Sequence, residues 1–476
     1  MNVPKIVTRK GNCYIYSERY KNFHLLPQPL QSYLEGHTPS DPSDYYWKKY
    51  QFWKNTILKE AETEGITPVL IPDAIKNSLA NLRQLVLEVT DGCNLKCLYC
   101  GFGSLYTHYD PRLNKKLTFT KVKTLIDYLV SLWQSPTHIS YNIVSVGFYG
   151  GEPLLNFKLI QQTISYLEEL DLKNIRFTYT MTTNGMLLDK YMDYLVEKNF
   201  LLLISLDGDK NNNSYRTTKS DRSSFDTVLA HTLALQNKYP VYFEKNVNFN
   251  AVLHDRNSVE EIYNFIKETF NKIPKISELN PAHVRPEKKK EFAKLFRVQE
   301  IYPEHLQTSS PSTPVNLSKS DILVYKKFVD SCCGNNYLYV CDLLGNESHT
   351  YPPTGTCYPF EKKLLLTVNG KLFPCEKISH LYPLGEVDHN GVQLDFEKIK
   401  EMYTGFYTKI ADTCHQCLLQ KNCGECIYFL EEKEGKFICP SHFPRSKASR
   451  YYSDFLSCSE ENPVLYSQIN THLIPD

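Results

Sequence analysis

Fifteen cysteines stand in this chain and they are unevenly placed. Four lie at or before Cys100, none between 101 and 331, and eleven from Cys332 to Cys458. The first group reads Gly92-Cys93-Asn-Leu-Lys-Cys97-Leu-Tyr-Cys100, a C-x3-C-x2-C spacing. Three neighbouring thiolates can hold three irons of a [4Fe–4S] cluster and leave the fourth iron open to a ligand, whereas clusters that only carry electrons mostly have four cysteines. The alternative is a zinc site completed by a distant histidine. The second group begins at Cys357, followed by Gly370 and Cys375. It continues with Cys414-x2-Cys417-x5-Cys423-x2-Cys426 and Cys439. Seven cysteines exceed one zinc site, and two CxxC pairs five residues apart are cramped for one zinc knuckle, which favours iron–sulfur chemistry over a zinc module. Cys13 and Cys458 read as buried thiols acting as small hydrophobes.

The elements that must position these thiols are visible in the hydrophobic pattern. Gln84–Thr90, Ile143–Tyr149, Ile175–Thr182, Phe200–Leu206, Val247–Leu253 and Ile276–Leu279 read as strands. Helical patterns at Thr120–Trp133, Phe157–Leu170, Asp189–Lys198, Phe225–Asn237 and Ser258–Phe270 alternate with them. Near-continuous apolar strands belong to a parallel sheet covered on both faces. Repeated strand–helix units predict an α/β barrel or an open α/β sheet, with ligands at the carboxyl ends of the strands. The cysteine loop follows the first strand, where chemistry is expected.

Residues 1–80 form a separate small strand-and-helix part: Cys13–Ser17 and Phe23-His-Leu-Leu as strands, then a helix carrying Tyr46, Trp47, Tyr50, Trp53 and Ile57 on one side. That face either docks on the next domain or binds a partner. Residues 82–285 form the α/β domain, 286–330 a connecting segment, 331–460 the cysteine-rich domain and 461–476 a tail. With 54 basic and 53 acidic residues there is no charge excess to suggest nucleic-acid binding. MNVPKIVTRKGNCYIYS has no apolar core of a secretory signal, and Phe200–Ile204 is far too short to span a bilayer. A soluble cytoplasmic protein with no membrane partner is expected, and its thiols then bind metal rather than pair as disulfides.

The cysteine loop, with the turns that follow the next three strands, resembles the radical SAM enzymes. Gly150-Gly151-Glu152-Pro153 is similar to the family's GGEP motif, and Thr182-Thr183-Asn184-Gly185 to its polar turn near the cofactor. The resemblance covers about 200 residues and implies a partial (βα)6 barrel. It implies a cluster on Cys93, Cys97 and Cys100 that binds S-adenosylmethionine. Tyr99 would pack by the adenine, Glu152 would hold the methionine amino group, and Gly150 and Gly151 would allow close backbone approach. Thr182 and Asn184 would lie near the cofactor, Ser205 near the ribose, and Arg216 on its carboxylate. The implied chemistry is reductive cleavage to a 5′-deoxyadenosyl radical that takes hydrogen from an unactivated C–H bond.

The C-terminal array resembles the SPASM extension of these enzymes, which implies two auxiliary [4Fe–4S] clusters. One would use Cys357, Cys375 and Cys426 with an upstream cysteine, Cys341, for which Cys332 and Cys333 compete. The other would use Cys414, Cys417, Cys423 and Cys439. The family spaces the last two central cysteines by three residues; here two intervene between Cys423 and Cys426. Within the family the chain looks most like the maturases of ribosomally made peptides. That implies a precursor peptide as substrate; several such maturases capture a leader peptide with a small strand-and-helix N-terminal domain, by strand addition and a groove, and residues 1–80 either do the same or simply pack. It also implies a low-potential donor such as flavodoxin or ferredoxin. Formylglycine generation on sulfatases, with Asp207 or Asp209 as a base, and a non-catalytic peptide-binding protein are the competing readings.

Overall fold

The computed structural model describes residues 5–17, 20–58, 70–138, 143–170, 172, 175–297, 325, 328–329, 332, 354–418 and 423–463. The chain opens with a three-stranded antiparallel sheet, β1 (Ile6–Val7), β2 (Cys13–Ser17) and β3 (Asn22–Leu25), in that order. Helices α1 (Gln28–Leu34) and α2 (Tyr45–Asn55) follow. Asp44 caps α2 by accepting from the Trp47 amide at 2.8 Å, filling one of the orphan donors of a helix start. The aromatic helix turns Trp53 onto Cys13, Ile15, Leu26 and Leu30, so it covers its own small sheet rather than the next domain. Tyr45 and Phe52 stay exposed.

Helix α3 (Pro72–Ala80) falls within the first eighty residues, yet Ile75, Leu79 and Ala80 are buried with the main core. Then strand and helix alternate: β4 (Gln84–Thr90), α4 (Phe119–Trp133), β5 (Ile143–Gly150), α5 (Phe157–Glu169), β6 (Arg176–Thr183), α6 (Leu188–Glu197) and β7 (Leu201–Ser205). Next come α7 (Phe225–Lys238), α8 (Pro240–Asn246), β8 (Val247–Val252), α9 (Val259–Phe270), β9 (Lys275–Ser277) and α10 (Lys289–Leu295). The six strands pair in parallel with their sequence neighbours. Each helix offers a stripe at the 3.6-residue period; on α5 it is Leu159, Ile160, Thr163, Ile164 and Leu167, all buried. Boundaries follow local chemistry. Helix α9 begins where Ser258 accepts from the Glu261 amide at 3.2 Å and ends at Asn271 in the left-handed region.

The cysteine-rich region does not stand apart from this sheet. It adds β10 (Leu364–Leu366), β11 (Lys371–Phe373), β12 (Gly385–Asp388) and β13 (Gly391–Leu394). Strand β10 pairs in parallel with β4, and β11–β13 continue antiparallel, giving ten strands in the order β13-β12-β11-β10-β4-β5-β6-β7-β8-β9. The buried carboxylate of Glu88 on β4 ties the junction, accepting from the Val368 amide at 3.1 Å and pairing with Arg112. Helix α11 (Phe396–His415), the hairpin β14 (Glu431–Lys433) and β15 (Lys436–Ile438), and helix α12 (Ala448–Glu461) complete the described chain. Helix α12 packs on β1, with Thr8, Asn12 and Tyr14 all donating to the Glu460 carboxylate. Among the described residues no helix is long and apolar enough to cross a membrane.

Candidate functional site

The loop Asp91–Cys100 leaves the carboxyl end of β4 and is held along its second half. The Lys96 amide donates to the Thr217 carbonyl at 2.8 Å, and the Leu98 amide to the Tyr215 carbonyl at 3.2 Å. Its thiols are close enough to interact: charge on Cys100 would hinder ionisation of Cys93 and Cys97, and charge on Cys93 would hinder that of Cys97. Burial is the main cause: it pushes Cys93 up and Cys97 to about 12, and the Arg216 charge only partly offsets it at Cys97. Uncompensated thiolates are disfavoured here, and a bound metal reverses that preference. Among the described residues no three His, Cys, Asp or Glu side chains converge tightly enough for a single metal ion.

Two glycines press the next loop against this one. A Cβ on Gly150 would lie 2.1 Å from the Thr90 carbonyl oxygen, and one on Gly151 2.1 Å from that of Gly92. Gly150 also has φ +140°, a conformation open to glycine. The closeness they allow is thus between two protein loops, and it lets the Glu152 amide donate to Gly92 at 2.9 Å. Glu152 is fully buried. One carboxylate oxygen accepts from Thr183 Oγ1 at 2.8 Å and the Leu154 amide at 3.2 Å; the other accepts from the Asn184 amide at 2.8 Å. A carboxylate has about four acceptor sites, so one remains. Burial raises Glu152 to about 7 despite these hydrogen bonds. Among the described residues it has no cationic partner, which leaves room for an ammonium group. Asn184 joins the two loops: its Nδ2 reaches Cys93 Sγ at 3.6 Å and Asn94 Oδ1 at 2.7 Å.

Arg216 and Tyr99 belong to a second buried knot. Arg216 Nε and Nη2 grip Asp207 at 2.9 and 3.0 Å, the Tyr99 hydroxyl donates to the same carboxylate, and the Val252 amide adds a bond at 3.0 Å. His254 stacks on Tyr99 with centroids 5.5 Å apart. Burial would raise Asp207, but the Arg216 charge and hydrogen bonds from His254, Arg216 and Tyr99 prevail and hold it down to about 2. Asp207 is thereby a weak base near neutral pH, and Asp209 accepts the amides of Asn211 and Asn212 in a turn. Ser205 ends β7 opposite Asn250. Thr182, Tyr149, Gly147, Thr180 and Asn248 line a cavity of about 560 Å³ on one face of the sheet.

The C-terminal thiols form two groups. Cys414, Cys417, Cys423 and Cys439 line one small cavity of about 20 Å³, with Ile410 and Leu430 among its walls. Cys426 lies within electrostatic reach of Cys357, and Tyr428 within reach of both Cys426 and Cys375. Cys332 is buried in a different core, with Ile6, Phe328, Tyr451, Phe455 and Cys458. Cys341 and Cys333 lie outside the described residues.

Residues 87–269 match the Radical SAM superfamily. They are a radical SAM domain. The chain thus carries a radical SAM domain, with the α/β fold of that superfamily. It is 28% identical over 278 residues to an uncharacterized protein of Methanocaldococcus jannaschii, covering 55% of this chain and 86% of that one. It is 24% identical over 308 residues to a cysteine-type anaerobic sulfatase-maturating enzyme of Clostridium novyi, covering 63% and 74%. A radical SAM cyclopropyl synthase of Paramaledivibacter caminithermalis is 25% identical over 176 residues, 36% of this chain and 35% of that one. A solved structure of native anSMEcpe with bound AdoMet and Kp18Cys peptide aligns at a TM-score of 0.49 and 19% identity, over 82% of this chain and 99% of that one.

Several residues of the radical SAM domain escape a reading by motif. His254 and Asn257 follow β8, where the strand–turn rule points, but no spacing marks them. Asp207 is visible in Ser205-Leu-Asp-Gly-Asp, yet its partner Arg216 lies nine residues on, and only the fold turns the two together. The bridge from Asn184 to Cys93 spans 91 positions and has no local signal.

Proposed function

We propose that this radical SAM enzyme is a peptide maturase that modifies a precursor peptide by crosslinking or oxidation. The observation that carries the cofactor half of this reading is Glu152, a buried carboxylate lacking a cation among the described residues and joined through Asn184 to the thiol Cys93. The peptide half is supported by the sulfatase-maturating and cyclopropyl-synthase relatives.

Cys93, Cys97 and Cys100 would hold a [4Fe–4S] cluster, and Glu152 would accept the ammonium of S-adenosylmethionine. When bound, these two supply one-electron sulfonium cleavage and hydrogen-atom abstraction. The protein's share is binding, orientation and exclusion of water. Asn184 holds Cys93 with one side-chain nitrogen and Glu152 with its backbone amide, so the metal end and the ammonium end keep a fixed separation. Tyr99 presents its ring under restraint by Asp207 and His254, and Arg216 sets positive charge near Cys97. Thr182 and Ser205 stand at the ends of β6 and β7 as further contacts. Cys414, Cys417, Cys423 and Cys439 would carry one auxiliary cluster, and Cys357, Cys375 and Cys426 would carry another with Cys341 as its fourth ligand. A flavodoxin or ferredoxin would supply low-potential electrons in the cytoplasm.

Protein reconstituted without oxygen and reduced with dithionite is expected to form 5′-deoxyadenosine. A short peptide encoded beside the gene and co-expressed with it is expected to lose hydrogen pairs by mass spectrometry. An unchanged peptide, with cofactor cleavage intact, moves the reading to protein substrates of the sulfatase kind. The sulfatase-maturating relatives favour that second reading, for which Asp207, tied to Arg216, would be a poor base.

A further inference from the structure

The 560 Å³ cavity has two unlike ends. One reaches Tyr149 and Thr182, immediately before Gly150 and Thr183 of the site described above. The other lies at the amino ends of the strands, where Gln84, Leu201, Val247 and Lys275 begin β4, β7, β8 and β9. Four lysines line that mouth: Lys245 at the end of α8, Lys272 after α9, Lys275, and Lys363 just before β10. Only two carboxylates, Glu244 and Glu376, line it with them.

Lys363 holds Glu376 at 3.0 Å. Lys272 donates to the backbone carbonyl of Glu244, not to an acid group. Lys245 and Lys275 form no ion pair among the described residues. Burial lowers both Lys272 and Lys275 below the ordinary ammonium value, and the charges of Lys363 and Lys377 press further on Lys275. The whole chain has a net charge of only +1, so this excess comes from placement rather than from composition. The volume falls within the roughly 300–1,000 Å³ of ligand pockets, and a mouth of one sign concentrates ligands of the other.

We infer that this mouth receives an acidic segment of the peptide substrate, its carboxylates read by Lys245, Lys272, Lys275 and Lys363, with the residue to be modified carried inward toward Tyr149 and Thr182. This rests on the peptide-maturase reading and supplies the class of peptide that reading leaves open. The contacts are ionic and partly solvated, so they govern encounter and selection more than total affinity.

The test uses the full chain, reconstituted without oxygen, with a fluorescein-labelled octapeptide containing four glutamates and the same peptide with four glutamines. Anisotropy is expected to show about tenfold tighter binding of the glutamate peptide at low ionic strength, a gap that closes as salt screens it. Lys245 and Lys275 keep most of their surface in solvent, with Lys275 only partly enclosed, so Lys245→Glu with Lys275→Glu is expected to fold and to remove or invert the preference; arginine at both positions is expected to keep it. Equal binding of the two peptides, or a preference that survives charge reversal, overturns the inference. So does tighter binding of inorganic triphosphate than of the glutamate peptide, which would assign the lysines to a phosphorylated small molecule. Formation of 5′-deoxyadenosine by the wild-type protein is measured alongside. If it forms and no peptide preference is seen, the acidic-segment inference falls alone; if it does not form, the enzyme reading falls as well.

Discussion

The two best-formed thiol sites differ in what surrounds the sulfur. Around Cys93, Cys97 and Cys100 the neighbours are polar and charged: Asn184, the buried Glu152, and the Asp207–Arg216 pair. Around Cys414, Cys417, Cys423 and Cys439 the cavity is only about 20 Å³, its walls mixing Ile410 and Leu430 with Thr354, Thr413, Glu425, Ser441 and His442, so the difference lies in room and in ligand count more than in polarity. The first has three cysteines and a buried carboxylate with no cationic partner among the described residues; the second has four cysteines and little space. A centre that must bind and orient a small molecule needs unfilled valence and directional polar groups. A centre that only stores or passes electrons is better closed, because solvent exposure and free coordination shift its potential.

Substitutions can break or sharpen this contrast. The largest effect is expected from Cys93→Ala: 5′-deoxyadenosine formation is abolished, while iron analysis shows the C-terminal sites still loaded, roughly eight irons of about twelve. Retained cofactor cleavage in a Cys93→Ala protein would erase the distinction between the sites. Asp207→Asn comes next. It leaves the Arg216 guanidinium buried without its partner, so urea unfolding is expected to show a loss of about 3–5 kcal/mol.

Glu152→Gln is expected to weaken S-adenosylmethionine binding by roughly 10- to 100-fold, the value of a charge-assisted hydrogen bond, with iron content unchanged. The same residue gives a pH signature. Its folded value of about 7 lies above its ordinary 4.5. The cofactor-free protein therefore has its full stability from this group below about pH 4.5 and loses on the order of 3 kcal/mol as pH rises through 7. Urea titrations across that range check this, and Glu152→Gln is expected to flatten the profile. The smallest effect on cofactor cleavage is expected from Cys439→Ala: iron falls by about four per chain, yet 5′-deoxyadenosine formation without substrate persists. Loss of that activity would mean that the two sites are not separable.

Much of the radical SAM domain is legible because a buried parallel strand advertises itself as an apolar run. Gln84–Thr90 begins and ends where the pattern places it, and the other five strands differ by at most three residues at either end. Gly150-Gly151-Glu152 is legible as a motif, but not for the reason the structure reveals: its glycines let one loop touch another. The attachment of β10 to β4 is not legible. Leu364-Leu-Leu366 is a three-residue run with no alternation, and its partner lies nearly three hundred positions earlier. Pairing at that distance is decided by the assembled sheet, not by local propensity. The place of α3 in the main core is hidden likewise, because its amphipathic pattern does not say which surface it will cover.

Strand β4 therefore has three attachments. The thiol loop continues from its end, the Glu152 loop is hydrogen-bonded on one side through β5, and the hairpin that leads to Cys375 on the other through β10. Adjacent strands keep a spacing of about 4.8 Å. Displacement of the sheet as a body thus carries all three together, and the gap between the first thiol site and the hairpin is metered by strand spacing.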